Sequence, residues 1–278
     1  SRADGLNTLG QIVGQSKIAD GTSTNAFATA VSPPINPATD DLGTLGGNWC
    51  NAWAINGSGQ IVGESLDASG NYRAFRTEVG VPLDPAVHDM GTFGGDHSAA
   101  KGINNIGQVV GQAQTADNAY HAFRASGNVL NQATDDLGTL GGTSSGATGI
   151  NGSGQVTGAS KTVGDSARHA FRTAPNAVIN PTTDDLGTLG GADSLGADIN
   201  DHGQVAGQSR TVDGQWCAFC TAPNGPINPA SDNLGGLGGD ASSAKAINSD
   251  GWVVGWSGIP NSPTWHAFLY RNAEMPDL

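Results

Sequence analysis

The stretch Asp136-Leu137-Gly138-Thr139-Leu140-Gly141-Gly142 decides how the chain is read. The same seven residues stand at 41–47 and 185–191, with near copies at 89–95 (DMGTFGG) and 233–239 (NLGGLGG). The last two residues, Asp277 and Leu278, read as the opening of a sixth copy. Outward from each copy, three further series keep one order. A phenylalanine recurs at Phe27, Phe75, Phe123, Phe171, Phe219 and Phe268, in steps of 48, 48, 48, 48 and 49 residues. An Ile/Leu-Asn pair recurs at Leu6-Asn7, Ile55-Asn56, Ile103-Asn104, Ile150-Asn151, Ile199-Asn200 and Ile247-Asn248. A short GQxxG run begins near Gln11, Gln60, Gln108, Gln155 and Gln204, with Trp252 in the sixth place. Self-similarity at a fixed period of this length marks a repeat architecture.

Each repeat reads as four short extended segments. The first is rich in small residues and ends in Ile-Asn, and Asn with Gly close behind is turn chemistry because both tolerate positive φ. The second, GQVVG-like, is a brief apolar run bounded by Gly and suited to burial on both faces. The third carries Ala-Phe, and a Pro/Asn-rich connection leads to DLGTLGG as the fourth. No stretch carries a 3.6-residue apolar stripe with caps over ten or more residues. Six repeats of four strands predict an all-β, six-bladed β-propeller as one domain over 1–278, with repeats at approximately 1–49, 50–97, 98–144, 145–193, 194–241 and 242–278. A linear stack would need polar end caps, and the first and last copies do not read as caps. Two phasings fit. Either the small-residue segment is the innermost strand and DLGTLGG the outermost, or DLGTLGG opens the blade. The first is preferred, because small side chains suit crowding near an axis and Gly-Gly suits the step to the next blade.

With net charge −13 and only 12 Lys+Arg, the chain lacks the basic surface that nucleic acid requires and is poorly matched to an anionic membrane. No apolar run reaches the length of a membrane-crossing helix, so membrane insertion is not expected. Three cysteines give no paired framework. Cys217 and Cys220 form CxxC inside an expected strand, where residues three apart face opposite ways, so they read as small packing residues. The chain begins in mid-pattern without a signal peptide, which leaves a removed leader open. No cofactor is expected, although the acidic balance is compatible with a structural cation such as calcium.

The ordered combination DLGTLGG, SxAxGIN, GQVVG and HAF resembles the bacterial HAF-repeat family of extracellular repeat proteins. The triplet stands as His121-Ala-Phe, His169-Ala-Phe and His266-Ala-Phe, and is altered at Asn25, Arg73 and Cys217. The resemblance covers nearly the whole chain. It implies a secreted β-rich protein at the cell surface or outside the cell, and supplies no activity. The inserts at Ile35-Asn36-Pro37, Ile179-Asn180-Pro181 and Ile227-Asn228-Pro229 depart from it and lengthen one rim.

Residues present in every copy build the frame, so function is sought where copies differ. The repeated Asp of DLG reads as a turn residue bonding nearby N–H groups, and the His of HAF as a strand hydrogen-bonding residue. The position two before Ile varies: Asp4, Trp53, Lys101, Thr148, Ala197 and Lys245. If the first strand lines a channel, Asp4, Lys101 and Lys245 ring its mouth, where they bind an anionic group or each other, or vary without consequence. The position before HAF carries Tyr72, Tyr120, Arg168, Trp216 and Trp265, joined in the last repeat by Trp252 and Trp256. Exposed aromatic faces stack on sugar rings, and packing is the equal alternative. After Gly-Gly stand Asn48-Trp49, Asp96-His97, Asp193 and Asp240. Asp96 and His97 with Lys101 are the weak candidates for acid–base chemistry. No GxSxG, HExxH, P-loop, EF-hand or dinucleotide motif is present.

The sequence therefore leads to a secreted, monomeric, non-catalytic binding or scaffold module, with an extracellular glycan or polymer as ligand through Tyr72, Tyr120, Trp216, Trp265, Trp53, Lys101, Lys245 and Asp4. Two alternatives stay open. One is a polysaccharide lyase or hydrolase using polar residues at the channel mouth. The other is a purely structural surface repeat.

Overall fold

The Ile-Asn turn shows how one side chain both bends the chain and ties repeats together. Asn56 Oδ1 accepts the N–H groups of Ser58 (3.0 Å) and Gln60 (2.9 Å), closing the turn. Its Nδ2 donates to Gln60 Oε1 and to the carbonyl of Asn104 in the next repeat. Asn7, Asn151 and Asn200 make the same forward bond, to Asn56, Asn200 and Asn248.

The computed structural model describes residues 1–19, 21–30 and 34–278. They form two compact units, Ser1–Asp136 and Leu137–Leu278. Both are all-β. In the first unit the antiparallel meanders are Arg2–Leu6, Ile12–Lys17 and Thr24–Ala28; Gly46–Ile55, Gln60–Asp67 and Tyr72–Glu78; and Gly94–Ile103, Val109–Thr115 and Tyr120–Ala125. A single parallel bridge, Thr24 to Trp49, joins the first two into one sheet. In the second unit they are Gly141–Ile150, Val156–Thr162 and Arg168–Arg172; Gly190–Ile199, Val205–Thr211 and Trp216–Cys220; and Ser242–Ile247, Val253–Gly258 and Trp265–Tyr270.

The DLG segment pairs with the third strand of its own repeat. It does so as the short strands Asp41–Gly43 and Asn233–Gly235, and as the single bridges Phe75–Asp89, Phe123–Asp136, Phe171–Asp185 and Phe268–Asp277. Within a repeat the order is therefore first, second, third strand and then DLG, as the preferred reading expects of the strand order. Gly46, at φ 107°, then opens the first strand of the next repeat.

Side chains from consecutive repeats interdigitate to make the cores. Val13, Ala26, Leu42 and Leu45 pack with Ile55, Ile61 and Phe75, and Ala170, Leu186 and Leu189 pack with Val205, Phe219 and Ile227. Each fully buried Phe contributes about 2–3 kcal/mol of transfer free energy. The glycine that opens onto the ring is obligatory, because a Cβ on Gly63 would run into the Asn51 carbonyl and the Phe75 ring. In the first unit Leu6 is 67% exposed where Ile55 is 8%, and in the second Val254 is 41% exposed where Ala206 is 0%. Among the described residues the helices are single turns in the inserts, Pro85–His88 and Gln132–Asp135, and one 3-10 turn, Val163–Asp165.

Candidate functional site

The variable position of the first strand is a β-bulge in every repeat. The register slips between Ala3 and Gly5, Ala52 and Ala54, Ala100 and Gly102, Ala147 and Gly149, Gly196 and Asp198, and Ala244 and Ala246. The unpaired residues are Asp4, Trp53, Lys101, Thr148, Ala197 and Lys245. A bulge frees its residue from the ladder and re-aims the side chain, which is why this position tolerates every size and charge.

In the first unit the bulge side chains meet. Lys101 Nζ and Trp53 Nε1 both donate to Glu64 Oε1, at 3.0 and 3.1 Å. Lys101 lies 4.1 Å and Arg2 5.2 Å from the centre of the Trp53 ring. Arg2 pairs with Asp4 at 2.9 Å, and the Asn51 amide bridges the two, donating to Asp4 Oδ2 and accepting from Arg2 Nη2. Burial pushes the Lys101 ammonium below the ordinary lysine range, with Glu64 acting in the opposite sense. Two cations thus face two carboxylates, and the cations cover the indole. This network ties three first strands together and leaves no surplus positive charge for an anion. In the second unit Thr148 Oγ1 donates to the Gly196 carbonyl (2.9 Å), Ala197 brings no polar group, and Lys245 packs over Trp256 at 5.6 Å.

The aromatic positions before HAF diverge. Trp216 is half-buried beneath the Arg210 guanidinium (4.7 Å), which is held in turn by Asp193 (3.4 Å) and the Gly214 carbonyl, so that ring face is occupied. Tyr72 is 45% exposed, edge-on to Trp49 (5.6 Å) and tilted against His97 (6.2 Å). Tyr120 is half-buried. Trp265 is 57% exposed and stands edge-on to Trp256 at 4.5 Å. It walls a cleft of about 510 Å³ lined also by Asp240, Asn261, Ser262, Pro263 and Thr264. Trp252, at the far end of the same strand pair, lies under Arg271 (5.3 Å).

The three acid–base candidates do not converge. His97 Nδ1 accepts the Tyr72 N–H (3.2 Å), the Asp96 N–H donates to Gln114 Oε1 (2.9 Å), and Lys101 is committed to Glu64. His97 and Lys101 stand four residues apart on one strand, on the order of 10 Å of extended backbone. Among the described residues no group of three or more His, Cys, Asp or Glu is placed to share a metal ion.

The motif's His and Asp turn out to be partners. His121, His169 and His266 place Nδ1 within 2.8–2.9 Å of Asp136, Asp185 and Asp277 across the third and fourth strands. Asn25 bonds Asp41 in the same way, and where Cys217 replaces His, Asn233 replaces Asp. The Asp also closes its own turn, as from the Gly91 N–H to Asp89 and the Gly187 N–H to Asp185, both 2.8 Å.

Several residues escaped the sequence reading. Glu64 stands where other second strands carry Gln15, Gln112 and Gln208, and that oddity was its signal. Asp198 stands where other first strands carry Gly5, Ala54, Gly102 or Gly149. Burial raises its carboxyl above the usual range, although the N–H groups of Ile199 and Ile247 both donate to it.

No protein-family model matches the chain, and no curated protein matches it. Among solved structures, a variant of the Aleuria aurantia lectin in complex with Fucα1-6GlcNAc is similar at 11% identity over 97% of this chain and 91% of that one, with a TM-score of 0.48. The same lectin variant in complex with α-methyl-L-fucoside is similar at 13% identity over 98% and 90%, with a TM-score of 0.45.

Proposed function

We propose that the chain is a non-catalytic carbohydrate-binding module, secreted as the HAF-repeat resemblance implies, with its repeats serving as blades of a six-bladed propeller. The observation that carries the binding reading is Trp265. An exposed indole, braced edge-on by Trp256, fronts a cleft whose other walls offer a carboxylate, an amide and two hydroxyls. An aromatic face takes the C–H face of a pyranose while polar neighbours bond its hydroxyls. Tyr72 with Trp49 and His97 supplies a smaller platform of the same kind in the first unit. Trp216 does not, because Arg210 covers it.

Screening neutral glycans by array and then by calorimetry tests the reading. Trp265→Ala is expected to cost about 2 kcal/mol, roughly thirty-fold in affinity. Trp216→Ala should leave the affinity within about two-fold of wild type. Undiminished binding in Trp265→Ala, or no glycan bound by the wild type, sinks it. Small-angle scattering tests the propeller separately, since an extended scattering envelope is incompatible with six blades around one axis.

A further inference from the structure

A second cleft, of about 330 Å³, lies in the first unit, where Gln60, Val81, Val87, His88 and Asn128 surround Arg76. It has nothing in common with the Trp265 cleft and stands whether or not that site binds sugar. Its origin is a single departure from the repeat. Four of the inserts carry an Asn followed four residues later by an Asp: Asn36 and Asp40, Asn131 and Asp135, Asn180 and Asp184, Asn228 and Asp232. In all four the Asp accepts the Asn backbone N–H, at 2.7, 2.9, 2.8 and 2.8 Å. In the second repeat the pair is Asp84 and His88, and His88 Nδ1 accepts that N–H at 2.9 Å. The imidazole takes over the structural bond, and the carboxylate is gone. With Nδ1 accepting, the neutral ring carries its proton on Nε2 and is a donor there.

The lost carboxylate is the one whose charge acts on the residue after HAF in three other repeats. Asp135 acts on Arg124, Asp184 on Arg172 and Asp232 on Cys220, whose thiol is pushed up to about 11 by burial and by that charge. Arg76 holds the same place in the second repeat and has His88 instead. Among the described residues no carboxylate lies within ion-pair distance of its guanidinium, and its hydrogen bond is one long contact to the Ser126 carbonyl, 3.4 Å. Arg76 thus shares its cleft with the His88 imidazole and with the Glu78 carboxylate, with which it makes no ion pair.

We propose that this cleft is a subsite for a hexuronate, whose carboxylate replaces the missing aspartate. Guanidinium matches carboxylate by a planar two-point fork. The amides of Gln60 and Asn128 suit ring hydroxyls, Val81 and Val87 give an apolar wall for ring C–H groups, and the volume suits one pyranose. Gly107 leaves the Arg76 and Gln60 side chains their space, since a Cβ there would stand 3.0 Å from Arg76 Nη2 and 3.2 Å from Gln60 Oε1. Glu78 also lines the cleft and opposes an anion.

Calorimetric titration of the full chain with sodium glucuronate, glucose, acetate and phosphate tests the assignment. Glucuronate should bind at least about ten-fold more tightly than each of the other three. Arg76→Gln should lower its affinity about ten-fold or more. The sharper variant is His88→Asp. It installs the residue that four other repeats carry, keeps the N–H capped, and fills the carboxylate position from within. It should therefore fold as wild type by circular dichroism and lose glucuronate to the same extent. Glu78→Gln should tighten binding. No glucuronate binding by the wild type, equal binding of glucose or of the simple anions, or full binding in a folded His88→Asp protein each overturns the proposal.

Discussion

Arg76 and Arg172 occupy the same place in the second and fourth repeats, and the junctions around them end differently. Arg172 Nη1 donates to the Gly203 carbonyl (3.2 Å) and to the Gly225 carbonyl (2.9 Å), both in the following repeat. Gln155 Nε2 meets Asn224 Oδ1 at 3.0 Å beside it, and the charge of Asp184 acts on the guanidinium without an ion pair. Around Arg76 the matching residues Gln60 and Asn128 stand on the walls of a cleft, and His88 replaces the aspartate. One design thus gives a closed clamp in the second unit and an open polar cleft in the first. The frame is untouched, because the bond that shapes the insert is made by aspartate in one case and by imidazole in the other. A repeat can acquire a site by changing the partner of one charge while preserving every backbone bond around it.

Removing each arginine should break the comparison most visibly. Arg172→Ala deletes the bonds to the Gly203 and Gly225 carbonyls, at a cost of about 2 kcal/mol for the two. Arg76→Ala loses one long bond at the edge of a cleft and should cost less than about 0.5 kcal/mol. Urea unfolding midpoints of the two variants measure the gap, and equal losses would mean that the two junctions are equally engaged in solution.

Exchanging the partner should give a smaller effect of opposite sign in the two units. Asp184→His imitates the second repeat and removes the carboxylate from Arg172, which should cost about 1 kcal/mol. His88→Asp imitates the other repeats and gives Arg76 a partner, which should add up to about 1 kcal/mol at low salt and less as salt screens the pair. Thermal melts at two ionic strengths check both the sign and the screening. A destabilised His88→Asp protein would show that the imidazole does more than cap the insert.

The frame was legible in the sequence because it is written six times. The Phe series, the Asn turns and the Gly next to the ring each recur in register, and one physical reason holds for all copies. The variable position two before Ile was visible as variation, but its cause was not. A bulge is a property of strand register, and register arises only when the second strand pairs with the first. Trp216 and Trp265 read alike for a similar reason. Arg210 covers Trp216 because Arg210 and Trp216 are paired across neighbouring strands, whereas Gly258 holds that place opposite Trp265. His88 was visible as the one insert without its aspartate. It had no meaning until Arg124, Arg172 and Cys220 showed what that aspartate's charge acts on.

The smallest effect expected tests whether the amides follow the charge. Gln155 Oε1 accepts from Asn151 Nδ2 (2.8 Å) while its Nε2 reaches Asn224, so both ends are engaged. Gln60 Oε1 accepts from Asn56 Nδ2 at the same distance, and Gln60 lines the open cleft without a counterpart of the Asn224 bond. Met fills the same length without either polar end, so Gln→Met deletes two bonds at 155 and one at 60. The difference between Gln155→Met and Gln60→Met should be about 1 kcal/mol, the net worth of one such bond. Comparing the pair of substitutions cancels the shared loss of the Asn turn bond, which neither single variant can do. A difference indistinguishable from zero would place the Gln155–Asn224 bond outside the folded ensemble in solution, and the junction beside it would then rest on the Arg172 bonds to the Gly203 and Gly225 carbonyls.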